Sequence, residues 1–82
     1  MVKGISTSKL EEIAKVIAEE FGISVWFAEV VGRRWSYLAG SVISEPLPSV
    51  RFMLDEKLGL VVETDDEKLA ETVFDYVRKL IR

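Results

Sequence analysis

The 82-residue chain contains no histidine, cysteine, asparagine or glutamine. Histidine is the usual proton shuttle near neutral pH and the commonest metal ligand, and cysteine is the strongest ordinary nucleophile. Their absence excludes zinc sites built on nitrogen or sulfur, Ser–His and Cys–His catalysis, and disulfide bonds. The loss of the thermolabile amides beside 14 acidic and 11 basic residues is typical of hyperthermophilic proteins.

Long apolar runs are also missing. No stretch approaches the roughly 18 apolar residues that a membrane span needs, and none follows Lys3 as a signal peptide would require. We therefore expect a cytoplasmic protein with no membrane contact. The length predicts one domain over residues 1–82, and the formal net charge of −3 makes the whole molecule a poor electrostatic target for nucleic acid.

Hydrophobic periodicity predicts the order α-β-β-β-β-α. The first helix is expected over residues 9–21, where Ser8 and Glu11 match a capping box. Thr64 and Glu67 form a second capping box that opens the last helix. Between the helices, β-branched and aromatic residues predict four strands. Their expected ranges are 24–31, 35–44, 49–55 and 58–63.

Short links between consecutive strands predict a four-stranded antiparallel meander. Gly32 suits a hairpin turn, Gly40 suits a bulge or a close backbone approach, and residues 45–48 with two prolines form a connection. Two helices of four or five turns cover about one face of such a sheet. The sequence thus predicts a two-layer α+β sandwich with both helices on one face; the alternative places one helix on each face.

The first two strands are apolar on both faces. In an even-length hairpin, alternate residues share a face, so the first strand's Trp26, Ala28 and Val30 join Trp35, Tyr37 and Ala39 of the second. Whichever face lacks helices then exposes aromatic side chains, which usually marks an interaction site. We predict a non-enzymatic module that forms a homodimer or binds a protein partner. The candidate interface is Trp26, Ala28, Val30, Trp35 and Tyr37; the alternative is that all five are core residues.

A second hypothesis is single-stranded nucleic-acid binding. Arg33 and Arg34 stand beside Trp35 and Tyr37, and Arg51 on the third strand extends the positive patch. Arginines beside stacking aromatic residues on a sheet hold phosphates and bases in many single-strand binders. The simpler interpretation is that the two arginines form a solvated hairpin tip that protects a sheet edge from aggregation.

Nothing in the sequence indicates catalysis. The carboxylate pairs at 11–12, 19–20 and 65–66 are adjacent on predicted helices or at a helix start, so they do not converge. The serines at 36, 41 and 44 have no histidine to activate them, and no glycine-rich phosphate loop occurs. We predict no catalytic, cofactor-binding or metal-binding residues. Only a deep pocket with a desolvated Glu29 or Glu63 would support an enzyme.

Overall fold

The computed structural model describes residues 6–41 and 48–81. The predicted continuation of the second strand to residue 44 and most of the 45–48 connection lie outside these residues. The predicted order α-β-β-β-β-α is confirmed. The elements are α1 (Thr7–Phe21), β1 (Val25–Val31), β2 (Arg34–Gly40), β3 (Val50–Met53), β4 (Leu58–Val62) and α2 (Glu67–Ile81).

Helix α1 begins two residues before the predicted start. Ser6 is the N-cap, and its hydroxyl accepts a hydrogen bond from the Lys9 N–H at 3.2 Å. Ser8 therefore lies inside the helix, so its predicted capping role is wrong. Ser6, Thr7 and Ser8 all suit an N-cap, and the sequence alone does not choose among them. At the other end, Gly22 closes the helix at φ 68°, as a left-handed cap requires.

Helix α2 begins later than predicted. Asp66 is the residue before its first turn, and the Asp66 carboxylate accepts from the Leu69 N–H at 3.1 Å. The Thr64 hydroxyl instead accepts from the Asp66 N–H at 3.1 Å, which makes a short turn ahead of the helix. The predicted Thr64 cap is therefore wrong. The Asp66 carboxylate is the cap, and its negative charge interacts favourably with the positive end of the helix dipole.

The four strands form one antiparallel sheet in the order β2-β1-β4-β3. The two hairpins meet at β1 and β4, whereas in a strictly sequential meander β2 and β3 would be neighbours. The most deeply buried strand is β4, in which every residue is buried, and β1 carries four buried residues of seven. These two strands are more buried than β2 and β3 because each has a neighbouring strand on both of its edges.

Both helices cover the same face of the sheet, as predicted. Helix α1 packs on β1 and β2, helix α2 packs on β3 and β4, and the helices touch each other. We call the sheet face under them the helix face. The core between the layers consists of Leu10, Ile13, Ala14, Ile17, Val25, Phe27, Ala39, Leu58, Leu60, Val62, Ala70, Val73 and Val77.

A β-bulge in β2 places one residue on the opposite face of the sheet from the predicted one. Ala28 pairs with Tyr37 but Phe27 pairs with Ala39, so Leu38 is an extra residue in β2. Ala39 consequently turns to the helix face, where it is fully buried in the core. Its predicted place beside Trp35 and Tyr37 is wrong. Gly40 takes that place and pairs with Trp26.

Candidate functional site

The sheet face away from the helices, which we call the open face, carries the aromatic residues that the sequence singled out. Strand alternation and the pairing register assign its members. They are Trp26, Ala28 and Val30 on β1, Trp35, Tyr37 and Gly40 on β2, Gly59 and Val61 on β4, and Arg51 and Met53 on β3. All five residues of the predicted interface therefore share this face.

The open face has an inner and an outer layer of side chains. Ala28 and Val61 are 0% and 2% exposed, and Val30 is also buried. Tyr37 and Met53 are exposed at 52% and 46%. Trp26 and Trp35 are partly buried, so neither indole is sealed inside the protomer. Of the predicted interface residues, only the three aromatic ones are accessible to a partner.

The indole of Trp35 reaches across the centre of the sheet to β4. A Cβ atom built on Gly59 would stand 2.6 Å from Cη2 and 2.9 Å from Cε3 of this indole. Trp35 is on edge strand β2 and Gly59 is two strands away on β4, so the ring spans β1 above Ala28. Glycine at position 59 and alanine at position 28 leave the space that the ring fills.

Three further contacts hold the outer layer in place. The Arg51 guanidinium lies 5.2 Å from the centre of the Trp35 ring, a cation–π geometry. The Trp26 and Tyr37 rings are 6.1 Å apart, and the Tyr37 hydroxyl donates to the Gly40 carbonyl oxygen at 2.9 Å. The outer layer therefore has one arginine–tryptophan pair and one tryptophan–tyrosine pair.

The structure separates the arginines of the nucleic-acid hypothesis. Arg51 contacts Trp35 on the open face. Arg33 lies in the two-residue turn, beside Gly32, whose positive φ of 62° fits the first position of a type II′ hairpin. Arg34 precedes Trp35 in β2, so strand alternation places its side chain on the opposite face.

We expect Gly59→Ala to displace the Trp35 indole, because the new methyl group would occupy the position of the ring. The measurement uses a Trp26→Phe background, in which Trp35 is the sole tryptophan. Its emission is expected to shift to longer wavelength, and its quenching by acrylamide to increase. Gly22→Ala in the same background is the control, since it strains the backbone at φ 68° but its Cβ meets nothing within 4 Å, the Trp35 ring included. An unchanged Trp35 spectrum would contradict the packing of this ring on Gly59.

The described residues show no electrostatically unusual site. Among residues 6–41 and 48–81, no polar or charged side chain is buried. Glu29 and Glu63 are partly buried, and Asp66 of the predicted carboxylate pairs caps α2. In the same part of the chain, no three carboxylates converge as metal ligands would. No described helix is long and apolar enough to cross a membrane.

The sequence reasoning missed four members of the open face, namely Gly40, Met53, Gly59 and Val61. Met53 lies two residues after Arg51 in β3, so strand alternation in the sequence already indicates that both side chains lie on one face. The contact between Gly59 and Trp35 had no signal in the sequence, because it depends on β4 lying next to β1. No protein-family model, no curated protein and no solved structure matches this chain.

Proposed function

We propose that this protein is a non-enzymatic self-association module whose open face docks on the open face of a second copy. The observation that carries the proposal is the outer layer of Trp26, Trp35, Tyr37 and Met53 on a face that neither of the described helices covers. Tryptophan and tyrosine are enriched at the energetic centres of protein interfaces. The lack of cysteine suits the proposed cytoplasmic location.

The size of the open face indicates a weak dimer. Four strands about 4.8 Å apart and about six residues long give a face of roughly 400 Å². Each partner in a standard specific interface buries about 800 Å². We therefore expect the contact between open faces to form at high protein concentration and to dissociate on dilution.

Sedimentation equilibrium with matched lysine variants tests the proposal. Met53→Lys introduces a charge on the open face, and we expect it to weaken self-association at least tenfold, since burying an unpaired charge is costly. Val31→Lys is the control, because Val31 is 61% exposed and lies outside the open face. A wild-type protein that stays monomeric at millimolar concentration, or equal effects of both variants, would overturn the proposal.

Single-stranded nucleic-acid binding is the second candidate, and the Arg51–Trp35 contact favours it. A cation beside a partly exposed indole is suited to one phosphate and one stacked base. The net charge of −3 acts against this function, since phosphate contacts dominate such affinity. This is why we rank it below self-association.

The nucleic-acid candidate predicts that a single-stranded oligonucleotide quenches tryptophan fluorescence at low salt. The quenching should weaken steeply as salt is added, and Arg51→Ala should reduce the affinity more than Arg34→Ala, which changes a charge on the opposite face. Absence of quenching at low salt would exclude this candidate.

A further inference from the structure

The edge strand β2 has a second feature that bears on association. The Val30 N–H donates to the Lys57 carbonyl oxygen, on the β4 side of β1, at 2.8 Å. The N–H and C=O groups of Val30 therefore point toward β4 and away from β2. Trp35, the partner of Val30 in β2, is therefore in a non-hydrogen-bonded pair, and so is Tyr37 two residues later. The N–H and C=O groups of Trp35 and Tyr37 point outward from the sheet.

These outward groups meet no strand among residues 6–41 and 48–81, because β2 is an edge of the sheet. Residues Trp35 and Tyr37 stand symmetrically about Ser36. If two β2 strands pair antiparallel around Ser36, Trp35 of each lies opposite Tyr37 of the other. Each such pair exchanges both of its N–H···O=C bonds. The pattern of outward groups is thus self-complementary.

We propose that two copies of this chain join edge to edge through β2, in antiparallel register about Ser36, to form one continuous sheet. The bulge at Leu38 and the turn at Gly32 bound the matching segment, which favours a discrete pair over an open fibre. The antiparallel register also keeps the Arg34 residues of the two copies apart. Arg34 of one copy lies opposite Leu38 of the other, so the two Arg34 Cα atoms are offset by four residues, about 13 Å, along the strands.

The area of the open face supports this pairing. Antiparallel pairing in one sheet turns both open faces to the same side, so their areas add. Two faces of roughly 400 Å² give about 800 Å², which is what each partner in a standard interface buries. Edge pairing therefore supplies the area that one open face lacks. Edge-paired dimers that dock by their open faces would form a closed tetramer with perpendicular two-fold axes.

The edge contact involves different atoms from the face contact in the proposed function, although the area argument rests on that function. Ser36 alternates with Trp35 and Tyr37, so it lies on the helix side of the sheet. It is also exposed. Docking of open faces leaves the two Ser36 residues far apart, whereas edge pairing brings them together. A probe at Ser36 therefore reports only the edge contact.

The first experiment is disulfide trapping with Ser36→Cys, which introduces the sole cysteine of the chain. In the proposed register, the two Cα atoms at position 36 form a non-hydrogen-bonded pair about 4.5 Å apart, within disulfide range. Under mild oxidation we expect Ser36→Cys to form covalent dimers at least tenfold faster than Ser41→Cys. Ser41 is equally exposed, and the same register separates its two copies by about 30 Å. Equal rates would overturn the edge pairing.

The second experiment separates the two contacts by sedimentation at high protein concentration. Ser36→Lys places a lysine opposite Glu29 within the protomer, a favourable cross-strand pair, but opposite a second lysine in the edge-paired dimer. We expect the wild type to reach a tetramer, Ser36→Lys and Met53→Lys each to stop at a dimer, and the double variant to be monomeric. If Ser36→Lys sediments as the wild type does, edge pairing is wrong; if Met53→Lys does so, the face contact is wrong.

Discussion

Replacing Phe27 by alanine is expected to destabilise the protein by about 3–5 kcal/mol, the usual cost of removing a buried phenyl ring. Phe27 is 0% exposed and is among the largest fully buried side chains. It lies on the helix face of central strand β1, opposite Leu60 on one side and Ala39 on the other. The residues that surround Phe27 would relax only partly into the space left by its ring, so a cavity would remain.

This loss is large for so small a domain. At about 0.05–0.15 kcal/mol per residue, a chain of this length has a total stability of roughly 4–12 kcal/mol. We therefore expect about half or more of the Phe27→Ala molecules to be unfolded at elevated temperature. Urea denaturation followed by tryptophan fluorescence measures the change. Val31→Ala is the control, since Val31 is 61% exposed, and it should cost no more than about 0.5 kcal/mol. A loss below about 1 kcal/mol for Phe27→Ala would contradict the placement of its ring in the core.

Gly40→Ala is expected to have the second large effect. Gly40 has φ 117°, where an L side chain is strained, at a cost of about 1–3 kcal/mol. A Cβ there would also stand 2.7 Å from the Trp26 Cα atom and 2.7 Å from the Val25 carbonyl oxygen. Both are main-chain atoms that cannot rotate away, and such overpacking adds about 1–3 kcal/mol. We expect a total loss of about 2–6 kcal/mol, from the sum of these terms.

Gly32→Ala separates the two contributions. Gly32 also has a positive φ, 62°, but a Cβ there meets nothing within 4 Å. Its cost should be the backbone strain alone, about 1–3 kcal/mol. Since the Tyr37 hydroxyl donates to the Gly40 carbonyl, Gly40→Ala should also change the near-UV circular dichroism of the Trp26–Tyr37 pair. Equal stability losses for the two variants would show that β1 and β2 do not approach closely at Gly40.

Local patterns in the sequence were sufficient for the elements and the sheet faces. Strand alternation placed Trp26, Trp35 and Tyr37 on one face, and both described helices pack on the other face, as predicted. The helix starts were less well determined, because runs such as Thr64-Asp65-Asp66 offer several capping residues within one turn. Neighbouring capping residues give helix starts of similar local energy. The packing of the first turn against the rest of the protein therefore determines which residue is the cap.

By itself, the sequence determined which chemistry is excluded, the order of helices and strands, and which strands are apolar on both sides, because composition and periodicity are local properties. Only the tertiary structure decided that β4 lies beside β1, that a bulge turns Ala39 into the core, and that Trp35 rests on Gly59 with Arg51 against it. Each of these joins residues far apart in the chain. Such contacts depend on strand order and register, which are set by burying the whole apolar surface at once rather than by any single segment.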